Sequence, residues 1–305
     1  MALDPIVEQM LTQMAEAGGP TLAEMTLADA RAMYRMMGEN FSRPQMDSIE
    51  DTTANGVSVR IYRPSAADKL PCLVYFHGGG WVIGDLESHD NVCRTLADQI
   101  GCVVIATDYR LSPEHPFPAP LDDCYTVTRW AADNADALNI DAAKIAVGGD
   151  SAGGNLSACV ALRIKQEGGP ALVHQLLMCP VTDAAMDTAS YSENAEGYML
   201  TRDTMTWFFG HYLGDTDSKN PYISPLHAED LSGLPPATVI TAQYDPLRDE
   251  GEAYAGRLKA AGVDTVAERF DGMIHNFMTM TGVLPSAQVA LDLATERIKS
   301  AFKLG

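Results

Sequence analysis

Positive charge is what this sequence has least of. Its 305 residues hold 21 Lys plus Arg against 41 Asp plus Glu, a formal net charge of -20. Nucleic acids and anionic lipid surfaces are bound through basic footprints, so neither nucleic acid nor stable membrane association is expected. Cysteine is sparse as well: Cys72, Cys93, Cys102, Cys124, Cys159 and Cys179 are too few to scaffold so long a chain, and no two stand at CxxC spacing. They read as buried thiols. The remaining histidines, His89, His115, His174, His211 and His227, show no metal-ligand spacing and no HExxH pair, so no metal and no cofactor are expected. No run approaches the 18 apolar residues of a membrane span, and the first basic residue is Arg31, which leaves no basic region for a secretory signal. A soluble, cytoplasmic protein is the expectation.

What is present is an ordinary globular composition, 46% hydrophobic and 20% charged, with no fixed-period repeat and no long linker. Short β-rich runs alternate with helical stretches from Val57 onward: Val57 to Tyr62, Cys72 to Phe76, Cys102 to Thr107, Lys144 to Gly148, Val173 to Cys179, Ala237 to Thr241 and Thr265 to Phe270. That alternation predicts one α/β domain with a mostly parallel sheet flanked by helices. Before it, Leu3, Ile6, Val7, Met10, Leu11 and Met14 recur at helical spacing, and Leu27, Met33, Met36 and Met37 suggest a second helix after the Gly18-Gly19-Pro20 break. These residues pack on the body or, being soft and unbranched, lie over a pocket that accepts differently shaped apolar groups. The segment from Ala184 to Pro236 is too long for a plain connection and suggests a lid, with helical content over Asp203 to Tyr212.

Gly149-Asp150-Ser151-Ala152-Gly153 follows a β-run and opens a helical pattern, the GxSxG elbow in the strand, turn, helix context it requires. A serine on so sharp a turn takes a strained backbone, and only minimal side chains two positions either side let strand and helix approach. His77-Gly78-Gly79-Gly80-Trp81 ends an earlier β-run. Glycines there expose backbone N–H groups suited to an oxyanion, and the absence of GxxxxGK[ST] speaks against a phosphate loop. His77 precedes the serine and so does not fit the chain order Ser, Asp, His; its expected place is behind the glycine loop. Asp245 stands at the tip of another run, where a carboxylate reaches an imidazole. Asp249 and Glu250 compete for that part but read as acids in a helix's first turn. Asp150 is expected to brace the elbow. His275, on a loop after the last run and between apolar neighbours, has the placement of a general base.

The chain resembles the hormone-sensitive-lipase family of α/β-hydrolases, the bacterial family IV esterases, in the branch with GDSAG at the elbow. The likeness runs through Ile61-Tyr62-Arg63-Pro64, the HGGGW motif, Asp108-Tyr109-Arg110-Leu111-Ser112-Pro113-Glu114-His115-Pro116-Phe117-Pro118-Ala119, Leu200-Thr201-Arg202, Asn220-Pro221, Asp245-Pro246-Leu247-Arg248-Asp249-Glu250-Gly251 and His275-Asn276-Phe277. Ser112 departs from the alanine usual there. The resemblance implies the α/β-hydrolase fold, Ser151 as nucleophile with Asp245 and His275, and oxyanion donors from Gly79, Gly80 and Ala152, with Gly78 as a further candidate. It also implies a helical cap built from about 1–45 and 184–221 on a body of about 46–183 and 222–305, and a homodimer through the last sheet edge.

The expected activity is therefore hydrolysis of short- to medium-chain acyl esters, with a small-molecule ester as partner. Trp81, Met199, Leu200, Trp207, Phe208 and Ile274 are the expected pocket residues; Met199, Leu200, Met205, Trp207, Phe208, Phe209 and Tyr212, with the N-terminal methionines, make an apolar ceiling over Ser151, or the aromatics among them only fasten the cap to the body. Two alternatives stay open at this level: an amidase or arylester deacetylase with the same triad, and a small-molecule receptor on the same fold, which the intact His275 disfavours. The acidic excess, with 14 Arg to 7 Lys, fits a surface suited to salty water.

Overall fold

A computed structural model describes residues 2–38, 41 and 43–304; residues 1, 39, 40 and 42 of the expected N-terminal cap segment lie outside it. Eight strands form one sheet: β1 (Ser48–Ala54), β2 (Val57–Arg63), β3 (Leu70–Phe76), β4 (Val103–Asp108), β5 (Ile140–Asp150), β6 (Leu172–Met178), β7 (Ala237–Tyr244) and β8 (Thr265–Ile274). Their order is β1-β2-β4-β3-β5-β6-β7-β8. The two pairs that include β2 are antiparallel, and every pairing from β4 to β8 is parallel.

The central strands are apolar on both faces because both are covered. In β3, Cys72, Val74 and Phe76 enter one core while Leu73 and Tyr75 enter the other, the period-two alternation of a pleated strand. One side packs α4 (Ala119–Asp133) and α5 (Ala152–Glu167), the other α3 (Asp90–Ile100) and α9 (Pro285–Phe302), and α8 (Arg248–Ala260) covers β7. β1 is the strand the sequence reading does not contain. Ser-Ile-Glu-Asp-Thr-Thr-Ala is exposed over most of its length, so it carries no apolar signal. Its hairpin partner is set instead by Asn55-Gly56, both at positive φ (50° and 93°), as a two-residue primed turn requires.

The expected N-terminal helices are α1 (Pro5–Ala17) and α2 (Leu27–Gly38), separated at Gly18, which sits at φ 63°. Asp4 caps α1 by accepting from the Ile6 amide at 2.9 Å, and its own amide donates to Gly272 O at 3.0 Å, docking α1 beside the tip of β8. The long segment after β6 contains α6 (Ala189–Glu193) and α7 (Arg202–Tyr212). α7 starts at Thr201, whose hydroxyl accepts from the Thr204 amide at 3.0 Å. α7 is pinned to the body where Tyr212 stacks on Trp81, centroids 4.0 Å apart and planes 3° apart. Among the described residues no helix is long and apolar enough to cross a membrane. All six cysteines are buried and unpaired.

The parallel register brings strand tips together. His77 immediately follows β3, Ser151 β5, Asp245 β7 and His275 β8, all at the carboxyl edge of the sheet, where α/β folds place their sites.

Candidate active site

Ser151 stands on the turn between β5 and α5 at φ 53°, ψ -118°, a strained conformation for a residue with a side chain. The glycines flanking it make the turn possible. A Cβ on Gly149 would lie 2.3 Å from Phe76 O, and one on Gly153 only 1.8 Å from the same carbonyl. The Ser151 amide is tied to Met178 O at 2.8 Å, so the turn is held by the neighbouring strand as well.

His275 Nε2 lies 3.0 Å from Ser151 Oγ, and His275 Nδ1 lies 2.7 Å from Asp245 Oδ2. The Leu247 amide donates to the other carboxylate oxygen at 2.9 Å, and Asn194 Nδ2 donates to the Asp245 backbone carbonyl at 3.2 Å. All three side chains are buried, with Ser151 6% exposed and His275 5%. This leaves one face open to a ligand and little bulk water to compete for the proton. Asp249 and Glu250 do not reach the imidazole. Asp249 accepts from the Ser190 amide at 2.8 Å and pairs with Arg248, while Glu250 Oε1 accepts from the amides of Thr182 (2.7 Å) and Asp183 (3.2 Å). Burial pushes the Glu250 carboxyl well above its ordinary range.

The glycine loop folds into a tight turn in which the amides of Val82 and Ile83 both donate to Gly79 O, at 3.1 and 3.0 Å. Gly79 and Gly80 have φ of 113° and 57°, and both border the space beside Ser151. Among the described residues their amides meet no acceptor. Ala152 opens α5, where a first-turn amide has no intrahelical partner. Gly78 differs from the expectation. Its N–H points inward, 3.2 Å from Asp150 Oδ1 and 3.2 Å from His89 Nε2, so it is spent on the scaffold and not offered to an oxyanion.

Asp150 is the hub behind the site. One of its oxygens receives the Tyr75 hydroxyl at 2.5 Å and the Gly78 amide; the other receives Asn276 Nδ2 at 2.7 Å and faces His89 Nε2 at 3.3 Å. Burial alone would raise this carboxyl, yet the charge and hydrogen bonds of His89 and the Tyr75 hydroxyl hold it below its ordinary value. Elbow, glycine loop and histidine loop therefore share one anion. His77 sits behind the loop, its Nδ1 2.7 Å from Gly78 O and its ring stacked on Tyr109 at 4.2 Å. Burial, then the neighbouring His89, lowers His77 to about 4, so near neutrality it is an uncharged donor to Gly78 O. His89 is the residue that sequence reasoning passed over. Its only signal was its place on the loop that carries the glycines.

A cavity of about 680 Å³ opens over Ser151 and His275. Of the six expected pocket residues it is lined by Met199, Leu200 and Phe208. Trp81, Trp207 and Ile274 stand elsewhere. Trp81 is fully buried against Tyr212, Trp207 packs on Phe208 and His211, and Ile274 points into the core opposite its neighbour His275. Adjacent residues on a strand face opposite ways and those on a helix about 100° apart, so proximity in sequence to the site did not place them in it. The walls are instead rich in methionine, with Met14, Met25, Met33, Met37 and Met280 beside Met199. Met36, one step further round α2, does not line it.

Among the described residues the one cluster with the spacing of a metal site is Cys179, Asp245 and His275, with ligand atoms within 4.8 Å of one another. Its carboxylate and imidazole already bind each other, and burial pushes the Cys179 thiol well above its ordinary value. The thiolate that a soft cation needs is therefore disfavoured.

Comparison with known proteins fits this geometry. The family model described as the alpha/beta hydrolase fold matches residues 73–279, from β3 through the histidine loop. The chain belongs to the α/β-hydrolase fold family. It is 37% identical to the carboxylesterase NlhH of Mycobacterium tuberculosis over 98% of this chain and 96% of that one. It is 36% identical to the ethyl acetate hydrolase of Pseudomonas putida, covering 98% and 99%. The hyperthermophilic esterase from Pyrobaculum calidifontis superposes with a TM-score of 0.94 at 43% identity, over 98% and 99% of the two chains. Within the family the chain is of the hormone-sensitive-lipase type, and it is a carboxylic ester hydrolase.

Proposed function

We propose that the hydrolase cleaves esters of short to medium-length acyl groups through an acyl-enzyme formed on Ser151, with Asp245 and His275 as its partners. The observation that carries this reading is the line from Ser151 Oγ to His275 Nε2 to Asp245 Oδ2, at 3.0 and 2.7 Å, beneath a roofed apolar cavity of about 680 Å³. His275 takes the serine proton as Oγ attacks the ester carbonyl, and Asp245 holds the imidazole with Nδ1 protonated and stabilises the imidazolium. The oxyanion is received by the amides of Gly79, Gly80 and Ala152, and Gly78 is left out because its amide is engaged. His275 then protonates the leaving alcohol, and a water activated by the same imidazole releases the acid.

The roof supports the size limit. Residues from α1, α2 and the turn between them line one side of the cavity, and Met199, Leu200, Thr204 and Phe208 line the other. These two segments act as the cap on the remaining body. A cavity of that volume holds a drug-sized molecule, which supports small esters as the substrates. The cytoplasm is the proposed location. A homodimer along β8 is proposed as its assembly, with light scattering at twice the chain mass as the check.

A series of 4-nitrophenyl esters of increasing acyl length, run beside matching anilides with Ser151→Ala as blank, tests the reading. Rates should peak at short to medium acyl chains and vanish in the variant. Hydrolysis of anilides without esters would replace the esterase by an amidase, and activity surviving in Ser151→Ala would remove the serine from its role.

A further inference from the structure

Arg31 projects from α2, one of the helices that roof the cavity, and spends its guanidinium on the body. Its Nε donates to Val82 O at 2.9 Å and one terminal nitrogen to Ser112 O at 3.0 Å, while the outer edge of the fork holds Glu114 at 2.9 and 2.7 Å. Val82 belongs to the turn that presents Gly79 and Gly80, since its amide closes that turn on Gly79 O. Ser112 belongs to the same ring of contacts, because its amide donates to Trp81 O at 2.8 Å. One planar cation thus fixes the far end of the glycine turn and the strand of chain that props it. A helical turn further on, Arg35 Nε binds Asp85 at 2.6 Å, and Gly38 packs against the Ser88 backbone so closely that a Cβ there would lie 2.3 Å from Ser88 O. α2 therefore grips the loop after β3 at three successive points.

We infer that Arg31 is a positioning residue for catalysis: through Val82 O and Ser112 O it holds the glycine turn so that the Gly79 and Gly80 amides face the oxyanion, which makes the N-terminal helix part of the oxyanion machinery. This rests on the assignment of those amides made above. The fork of donors suits the task, because it meets two carbonyls in fixed directions while its charge is balanced outside by Glu114, whose carboxyl it draws down to about 2. A lysine ammonium lacks that planar spread. Trp81 at φ 60° and the two glycines give the turn little intrinsic preference for its shape, so an external tie is what keeps the amides aimed.

The test compares wild type with Arg31→Met, Arg31→Lys and Glu114→Gln. For each, kcat and KM on a 4-nitrophenyl ester are measured, with inhibition by a trifluoromethyl ketone, which forms a hemiketal oxyanion on the serine, and by the matching methyl ketone. In Arg31→Met, kcat should fall about 10- to 100-fold, the cost of a misdirected oxyanion donor, with KM nearly unchanged. Affinity for the trifluoromethyl ketone should fall in parallel while that for the methyl ketone holds. Arg31→Lys should lie between, and Glu114→Gln should match wild type. A trifluoromethyl to methyl ketone ratio that stays at the wild-type value in both arginine variants overturns the inference, as does a raised KM with kcat intact, which would leave Arg31 a roof contact only. If Arg31→Met does not fold, Arg31→Lys alone carries the same decision. Wild type that a fluorophosphonate fails to label at Ser151 would instead sink the underlying assignment.

Discussion

At the residue scale the site depends on one buried anion with no spare capacity. Asp150 receives the Tyr75 hydroxyl, the Gly78 amide and the Asn276 side-chain amide, and faces His89. Asn in its place keeps the volume but turns an NH₂ toward groups that are themselves donors, leaving buried partners unpaired. Asp150→Asn should lose about 2–4 kcal/mol of stability by chemical denaturation, and kcat should fall by at least tenfold as glycine and histidine loops lose their common tie. A variant with wild-type stability and kcat would show that the hub is dispensable. Glycines offer a contrast. Gly153→Ala drives a Cβ into Phe76 O and should abolish soluble expression, whereas Gly256 in α8 faces open space, so Gly256→Ala should gain about 0.5–1 kcal/mol by lowering the entropy of the unfolded chain, read as a raised Tm. The elbow, the acid and the base were legible because each sits at a strand tip in the required chain order. His89 and the inward turn of Gly78 were not, since both depend on which way a peptide faces within a loop.

At the scale of elements, legibility followed burial. The seven apolar runs became β2 to β8; those of β3 to β7 are apolar because these strands are covered on both faces, β8 at the other edge is part-exposed over its run, and β1, paired at the edge and mostly exposed, had no such constraint. β5 begins with Ile140 opposite Leu70 and β8 ends with Ile274 opposite Tyr244; in each the register shifts over the intervening stretch, 141–144 and 271–273, an irregularity that no apolar alternation announces. β6 also holds a group with a measurable consequence. His174 is buried with Nε2 2.9 Å from Thr238 Oγ1, and burial, followed by the Arg297 charge, lowers it to about 4 from 6.5. A base with a depressed folded pKa binds its proton in the unfolded chain first. Its contribution is therefore complete above pH about 6.5 and is lost as pH falls toward about 4, a cost on the order of 3 kcal/mol. His77, lowered to about 4 by the same cause, acts in the same window. Tm should decline from pH 6.5 to 4, and His174→Gln should show a shallower decline than wild type. Parallel slopes would mean that His174 titrates normally in the fold.

At the scale of the whole molecule the charge imbalance sets the response to salt. Among the described residues the buried carboxylates are Asp90, Asp123, Asp150, Asp183, Asp245 and Glu250; the other described Asp and Glu side chains reach solvent. The ion pairs that the basic residues form are largely at the surface, as for Arg35 with Asp85 or Lys165 with Asp230, where each is worth about 0–1 kcal/mol and weakens with ionic strength. Against that stands the mutual repulsion of a chain carrying -20, which grows with every unpaired carboxylate and is screened by the same ions. At about 0.01 M salt the Debye length is roughly 30 Å and the whole surface repels itself; at about 1 M it is roughly 3 Å and only direct contacts remain. Because 41 acids face only 21 bases, screening removes more repulsion than attraction. The Tm of the folded protein should therefore rise between those two salt concentrations in potassium chloride. The bonds from Arg31 to Val82 O and Ser112 O end on neutral carbonyls and are partly buried, so kcat should vary far less than Tm across the series. A Tm that falls steadily over this range would show that surface ion pairs, not repulsion, dominate the electrostatics of this fold.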